Sequence, residues 1–388
     1  MNRRSFLMSS GLGIAGIALS GHRLFPAGGP ASPDFRRLFI GTYTTGPAEG
    51  INQARMEMLS GNIRLEKVNP GIENPSFLAI SPDGNFLYAV NETGEYEGMP
   101  GGSVSAFRMG QDGSELTFLN SRSSLGAHPC HLTVSRNGKF VLTANYTGGN
   151  VSVLPVMDDG SLGEAVEMQQ HSGSGPNTQR QGKAHAHSVN LSPDNRFAYV
   201  CDLGIDKVMI YRFNDRTGKL SPAETPFFRT AAGAGPRHFV FSPDKNRVFL
   251  INELNSTLSS LFVDTKNGIL TEIQTVSLLP AEFSGENTGA DVHVHPNGRF
   301  VYGSNRGHDS ITVYSADRKT GRLKLMQHQA TLGRTPRNFA IDPSGSYLLA
   351  ANQNSNSIRV FTISRKTGML APTNNFLTVP CPVCVLIR

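Results

Sequence analysis

One motif recurs six times along this chain, at intervals of about fifty residues. In each copy a strand-like run leads into a turn, a second run follows, and an Asn or Asp stands ten residues after the first residue of the turn. The turns begin at Ser81, Ser135, Ser192, Ser242, His295 and Asp342, and the recurring residues are Asn91, Asn145, Asp202, Asn252, Asn305 and Asn352. A period of this length predicts a β-propeller.

The copy at 239–252 indicates how one unit folds. Its two runs of β-branched and aromatic residues flank a Pro-Asp turn, which is the pattern of a β-hairpin. A third run begins fifteen residues after the start of the turn, at 207–213, 257–263, 310–316 and 357–363. A Gly-containing turn then leads to a fourth run, which opens with Leu162, Leu220, Leu270, Leu323 and Leu370. Four antiparallel strands make one propeller blade.

Both chain ends are needed to complete a seventh blade. Residues 38–63 contain the second to fourth runs of a unit and lack the first, whereas 382–387 matches the first runs at 75–80 and 129–134. We therefore predict an all-β fold, a seven-bladed β-propeller of four-stranded antiparallel blades, within a single domain at 32–388. The C-terminal strand is expected to join the N-terminal blade and so to cover an exposed sheet edge.

Residues 1–31 have the order of an export signal. Arg3 and Arg4 precede an apolar run at 11–19 and a small-residue stretch at 27–31. Adjacent arginines are typical of signals read by the twin-arginine export machinery, so we expect a periplasmic or extracellular protein. The apolar run is too short to span a bilayer, so no stable membrane insertion is expected after processing; an uncleaved anchor is the alternative.

Composition and charge exclude some classes of function. Trp is absent and 41 residues are Gly, which favours many turns over a helical bundle. Without residues 1–31 the net charge falls from +6 to +3, because Arg3, Arg4 and Arg23 are removed with no acid. A net charge this close to zero does not predict nucleic-acid binding.

The cysteines and paired histidines give no clear metal site. Cys381 and Cys384 have redox or zinc spacing but lack a second ligand pair, so we expect Cys130, Cys201, Cys381 and Cys384 to be buried thiols or to form one incidental disulfide. His185 and His187 share one strand face, as do His293 and His295, but the two pairs lie at opposite ends of the propeller. With no third ligand evident, we expect neither a metal nor another cofactor.

One end of the propeller collects the polar positions that differ between blades. The start of strand one, the end of strand two and the connection between blades all lie there. Five residues before the turn the copies have Ser76, Cys130, His187, Arg237, Ala290 and Arg337; the next position has Phe77, His131, Ser188, His238, Asp291 and Asn338. One residue after the recurring Asn they have Glu92, Tyr146, Leu203, Glu253, Arg306 and Gln353. We interpret this end as the functional site and the Asn column as scaffold.

Two irregular insertions fall at the same end, at 93–102 and 172–184. The second contains Arg180 and Gln181 and leads to His185. Several arginines around one pocket suit a carboxylate or phosphate, which guanidinium groups bind bidentately. The alternative is that these arginines pair with acids of neighbouring blades as scaffold.

Several stretches resemble the seven-bladed lactonase family, which includes propeller-type 6-phosphogluconolactonases and the fungal carboxymuconate cyclase. They are 173–187, 235–244, 251–256, 295–309 and 335–339. In the cyclase branch the chemistry is assigned to one His, two Arg and one Glu, which implies catalytic roles for His187, Arg237, Glu253 and Arg306. An export signal departs from what is expected of an enzyme that acts on a cytosolic phosphorylated lactone.

We therefore predict a hydrolase that opens a small anionic sugar lactone. His187, tuned by Glu253, is expected to activate water, and Arg237 and Arg306 to stabilise the growing charge. Further substrate contacts are expected from Arg180, Gln181, His185, His131, His238, Arg337 and Asn338. The alternatives are a cycloisomerase that uses the same base, and a non-catalytic propeller that binds an anionic ligand.

Overall fold

The computed structural model describes residues 34–388, so the predicted export signal at 1–31 lies outside the described residues. Seven four-stranded antiparallel sheets form the seven blades of a propeller. Blade 1 contains Phe35–Thr42, Gly50–Glu57, Ile63–Pro70 and Pro382–Ile387; blade 2 contains Leu78–Ile80, Phe86–Asn91, Ser103–Met109 and Leu116–Ser123; blade 3 contains Pro129–Val134, Phe140–Asn145, Asn150–Pro155 and Glu167–Gln170.

The remaining four blades follow in chain order. Blade 4 contains Ala186–Leu191, Phe197–Asp202, Lys207–Phe213 and Leu220–Arg229; blade 5 contains Pro236–Phe241, Arg247–Asn252, Thr257–Asp264 and Ile269–Ser277; blade 6 contains Thr288–Val294, Phe300–Arg306, Ser310–Ala316 and Leu323–Ala330; blade 7 contains Pro336–Ile341, Tyr347–Asn352, Ser357–Ile363 and Leu370–Thr378. A short hairpin, Glu95–Tyr96 with Met99–Pro100, lies in the first insertion, and Leu203–Ile205 and Gln353–Ser355 are single 3₁₀ turns.

The ring closes as predicted. Strand Pro382–Ile387 pairs antiparallel with Phe35–Thr42, with Leu38 opposite Ile387 and Ile40 opposite Val385. Blade 1 is therefore built from both ends of the described chain, and Pro382–Ile387 covers the edge of Phe35–Thr42 that would otherwise be unpaired.

Apolar side chains between neighbouring blades form the core. One cluster joins blades 3 and 4 through residues such as Leu142, Val153 and Val200. Polar links supplement this packing. The hydroxyl of Tyr199 in blade 4 donates to the carbonyl of Gly268 in blade 5, at 3.1 Å. Buried aromatic rings thus bring both apolar area and a satisfied hydrogen bond to the contacts between blades.

The recurring Asn column behaves as scaffold. The side-chain amides of Asn91, Asn145, Asn305 and Asn352 each donate to a backbone carbonyl at the connection that enters their blade. All four cysteines, which lie in the described part of the chain, are free thiols, so the predicted alternative of a disulfide is not realised. Between residues 34 and 388 no helix is long and apolar enough to cross a membrane.

Candidate active site

A β-bulge opens the first strand of six blades and brings unlike side chains to the channel. The pairing between strands one and two shifts register at this point in blade 1 and in blades 3 to 7. The residues skipped by the pairing are Val383, Cys130, His187, Arg237, Ala290 with Asp291, and Arg337. Bulges often re-aim side chains beside active sites, and here they act on the column that varies from blade to blade.

Three of these side chains, Cys130, His187 and Arg337, line one polar cavity of about 330 Å³ at the predicted end of the propeller. Every blade contributes to it, directly or through the connection that precedes it. The wall consists of Tyr43, Glu92, Cys130, Tyr146, Arg180, His187, Glu253, Thr288, Arg306 and Arg337. Of the residues predicted to converge at this rim, His187, Glu253, Arg306 and Arg337 line the cavity, and Arg180 joins them from the second insertion. Two further rim residues that were predicted do not line it: Arg237 and His238.

Glu253 is the centre of the charged groups. Its Oε1 atom lies 2.6 Å from Nη2 of Arg180, and its Oε2 atom lies 2.9 Å from Nη2 of Arg306 and 3.0 Å from Nε of Arg237. Burial alone raises the pKa of the Glu253 carboxyl, but the charges of Arg306, Arg237 and Arg180 outweigh it and lower that pKa to about 2. Glu253 is therefore ionised at neutral pH and is a weak base.

His187 is the neutral group of the cavity. Its Nε2 atom lies 3.8 Å from Oε2 of Glu253, and its Nδ1 atom lies 3.7 Å from Sγ of Cys130. Burial, followed by the charge of Arg237 and the nearby His238, lowers the pKa of His187 well below 6.5. The imidazole is thus uncharged at neutral pH and has a lone pair able to accept a proton.

A second hydrogen-bonded group lies on blades 1, 2 and 7. Nη2 of Arg337 donates to the hydroxyl of Tyr43 at 2.7 Å, and that hydroxyl donates to Oε2 of Glu92 at 2.9 Å. The hydroxyl of Ser76 also donates to Oε2 of Glu92. Within residues 34–388, Arg337 makes no ion pair with a carboxylate, which distinguishes it from Arg180, Arg237 and Arg306.

Arg237 stands behind the cavity wall. Its side chain is only 2% exposed, and besides Glu253 it donates to the carbonyl of Ala290 and to Nε2 of His238. Burial and the neighbouring Arg306 lower the pKa of Arg237 to about 10, so it keeps its charge at neutral pH. Arg237 is therefore buried behind the wall, where it supports Glu253, and its predicted contact with the substrate stays a prediction.

A buried layer closes the channel beneath the cavity. Nδ1 of His238 donates to Oδ1 of Asp291 at 2.7 Å, and Nδ2 of Asn338 donates to Oδ2 of the same carboxylate at 2.6 Å. The ring of His131 stacks on Phe77 with centroids 4.1 Å apart. None of His131, His238 and Asn338 lines the cavity, because their rings and amide are engaged within this layer. The predicted substrate contact of these three residues stays a prediction, and their place in the buried layer does not support it.

The second insertion, at 172–184, brings Arg180 to the cavity, and Gln181 holds this insertion in place. Nε2 of Gln181 donates to Oδ1 of Asp206 at 2.7 Å and to the carbonyl of Leu203, and the side chain is fully buried. His185 stacks on Tyr146 with centroids 4.5 Å apart. Gln181 and His185 do not line the cavity, and their predicted substrate contact stays a prediction.

The predicted absence of a metal site stays a prediction, although the contacts of the paired histidines do not favour chelation. Nδ1 of His185 faces the carbonyl of Tyr146, whereas Nε2 of His293 faces Asp291 and Nε2 of His295 faces the carbonyl of Gly345. No group of three His, Cys, Asp or Glu suited to a metal ion occurs in residues 34–388.

Five wall residues were not among the predicted site residues. The aligned columns contain Cys130, Tyr146 and Glu92, but none of the three has the positive charge that indicated an anion-binding residue. Tyr43 directly follows strand Phe35–Thr42, the second strand of blade 1, so extending the third column to that blade finds it. Thr288 opens the first strand of blade 6, outside all three columns, and only the folded structure brings it to the cavity.

Comparison with known proteins shows the family and the fold. The family model described as Lactonase, 7-bladed beta-propeller matches residues 37–387. The 6-phosphogluconolactonase of Bacillus subtilis (strain 168) is 36% identical over 347 residues, which cover 89% of this chain and 97% of that protein. The 6-phosphogluconolactonase of Formosa agariphila is 35% identical over 78% of this chain and 86% of its own length. The solved structure of the periplasmic gluconolactonase PpgL of Pseudomonas aeruginosa superimposes with a TM-score of 0.86 at 33% identity, over 91% of this chain and 99% of that one.

Proposed function

Since the chain belongs to the family of seven-bladed β-propeller lactonases and is a lactone hydrolase of the 6-phosphogluconolactonase type, we propose that the cavity around Glu253 opens the ring of a sugar lactone bearing an anionic group. The cavity is large enough for one six-membered ring with a short substituent. Its wall is polar, which suits a sugar derivative better than an apolar ester.

The observation that carries the choice of an anionic substrate is the excess of positive charge. Arg180, Arg237 and Arg306 share the carboxylate of Glu253, whereas Arg337 has only a neutral hydroxyl as its recorded partner in the described chain. A phosphate or carboxylate of the substrate supplies the missing negative charge, and a guanidinium group binds either one bidentately.

In the mechanism that we propose, His187 acts as the general base. It accepts a proton from water as the water oxygen bonds to the lactone carbonyl carbon. Arg306 and Arg180 face the negative charge that develops on the carbonyl oxygen. When the ring C–O bond breaks, the imidazolium returns the proton to the leaving oxygen, so the product is an open-chain hydroxy acid.

Glu253 has a supporting role in this mechanism. Its low pKa makes it a poor proton acceptor, but its charge lies 3.8 Å from Nε2 of His187 and stabilises the imidazolium that forms during the reaction. It also fixes Arg180 and Arg306 in position before the substrate arrives, which lowers the reorganisation needed in the transition state.

Residues 1–31 are proposed to act as an export signal of the twin-arginine type. The arrangement of Arg3, Arg4 and the apolar run at 11–19 supports this proposal, and the related PpgL is described as periplasmic. Cell fractionation of wild type and of an Arg3→Lys, Arg4→Lys double variant tests it. Equal export of both proteins contradicts a twin-arginine route.

A substrate panel tests the proposed function. Purified residues 32–388 are assayed with glucono-δ-lactone, its 6-phosphate and a carboxymuconolactone, with spontaneous hydrolysis subtracted. We expect enzymatic hydrolysis of a sugar lactone, and an Arg337→Met variant with a KM raised about tenfold for the phosphorylated lactone and less for the neutral one. The proposal is contradicted if the carboxymuconolactone is the only compound turned over, or if the sugar lactones bind without being hydrolysed.

A further inference from the structure

The two carboxylates of the cavity have different partners. Both oxygens of Glu253 are occupied by guanidinium groups. Glu92 instead receives two hydroxyl donors, Tyr43 and Ser76, and both donate to its Oε2 atom. In the described chain its Oε1 atom accepts no hydrogen bond, and Glu92 has no arginine within ion-pair distance, although the residue lines the cavity. A free carboxylate oxygen in the wall is a strong acceptor that awaits a donor.

The surroundings of Glu92 fix its orientation. Tyr43 is held between Nη2 of Arg337 and the carboxylate, with distances of 2.7 and 2.9 Å. Ser76 holds the same carboxylate oxygen from the first column of blade 2. The orientation of the carboxylate is therefore fixed, and its Oε1 atom has no hydrogen-bond partner within residues 34–388 although Glu92 lines the same cavity as Arg337.

We propose that Glu92 is a specificity-determining residue that accepts hydrogen bonds from hydroxyl groups of the substrate. This inference rests on the proposed hydrolysis of a sugar lactone, and it assigns recognition of the hydroxyl groups of that substrate to Glu92. A lactone without hydroxyl groups covers the Oε1 atom and removes its water without replacing the lost hydrogen bonds. A site built to bind a hydroxyl rejects such an analogue, because its own polar group is left unpaired.

Paired substrates and matched variants test this assignment. Wild type, Glu92→Gln and Glu95→Gln are compared on glucono-δ-lactone and on δ-valerolactone, which has the same ring without hydroxyl groups. Glu95 is an exposed glutamate in the neighbouring hairpin and serves as the control. We expect Glu92→Gln to raise KM for glucono-δ-lactone about tenfold, with a smaller change in kcat, because a charged acceptor is lost. We expect the control to match wild type.

A binding measurement separates recognition from chemistry. Titration calorimetry compares gluconate with hexanoate, which has the same length and charge but no hydroxyl groups. We expect wild type to bind gluconate more tightly and Glu92→Gln to lose most of that preference. An unchanged preference and an unchanged KM overturn the inference, as does a loss confined to kcat. If wild type hydrolyses no lactone, the proposed function itself fails, and the calorimetry still reports on Glu92.

Discussion

The two ends of the propeller differ in how closely their residues repeat from blade to blade. At the end away from the cavity, four blades repeat one arrangement, in which the hydroxyl of the first turn residue accepts a backbone N–H five residues later. Ser81, Ser135, Ser192 and Ser242 bind the amides of Phe86, Phe140, Phe197 and Arg247 in this way. At the cavity end, equivalent positions hold Glu, Tyr, His and Arg in different blades. The residues that repeat between blades thus stabilise the hairpin turns, whereas the residues that differ between blades form the proposed active site.

The largest effect expected from this comparison is on the activity of His187→Ala. Loss of the general base lowers kcat/KM about 10²–10⁴-fold, while the hairpin turns at the far end keep their hydrogen bonds. Steady-state hydrolysis of the preferred lactone and thermal unfolding are measured on the same samples. His328→Ala, in strand Leu323–Ala330, is the control. Turnover like that of wild type in His187→Ala contradicts the mechanism.

Glu253→Gln is expected to show that the cavity end also contributes to stability. It leaves three guanidinium groups without their buried partner, which costs about 3 kcal/mol of unfolding free energy. Urea denaturation measures this. The matched control is Glu66, which likewise pairs with more than one arginine, in its case Arg37 and Arg55, but is partly exposed. Glu66→Gln is expected to lower the unfolding free energy by less than about 1 kcal/mol.

The pH dependence of this difference has a defined sign. The pKa of Glu253 falls from 4.5 to about 2 on folding, so its contribution is fully present above pH 4.5 and is lost as pH falls towards 2. The stability difference between wild type and Glu253→Gln should therefore shrink over that range. A difference that is the same at pH 7 and at pH 2.5 contradicts the assignment of the charge to Glu253.

A smaller effect, on stability and not on activity, is expected for Ser192→Ala at the end of the propeller away from the cavity. The change removes the acceptor of the Phe197 amide, at 2.9 Å, and a bond to Asp194. We expect a loss of about 1 kcal/mol in unfolding free energy and unchanged kcat/KM. A decrease in kcat/KM with intact stability would show that the two ends are not independent.

The smallest effect is expected on the pH profile of the wild-type enzyme. Because the pKa of His187 lies well below 6.5, kcat/KM should change less than about twofold between pH 7.5 and 6.5. The acid limb should appear only at lower pH. An inflection near 6.5 would mean that the imidazole is not desolvated as the structure indicates.

The repeat allowed the fold to be predicted almost completely, including the seventh blade. Each blade is a local pattern of turns and alternating residues, and such patterns can be read directly from a sequence. The cavity was predicted in part. His187, Glu253, Arg306, Arg337 and Arg180 were placed at the correct end because the topology assigns equivalent positions to one rim.

What could not be predicted was depth along the channel. His187 and Arg237 occupy the same bulged position in neighbouring blades, yet His187 lines the cavity and Arg237 is buried behind its wall. The direction of a side chain at a bulge depends on the packing of neighbouring blades, which a sequence pattern does not contain. The burial of Gln181 could not be predicted for a related reason, since its hydrogen-bond partner Asp206 is a distant loop residue.

The pairing of Pro382–Ile387 with Phe35–Thr42 also sets the order of events during biosynthesis. Six blades can form as the ribosome delivers them, but blade 1 lacks its innermost strand until residue 387 has emerged. The cavity draws Tyr43 from blade 1 and the Tyr43–Arg337 bond joins that blade to blade 7. A nascent chain therefore contains His187 and Glu253 long before it contains a complete site, and activity should appear only after translation of the last strand.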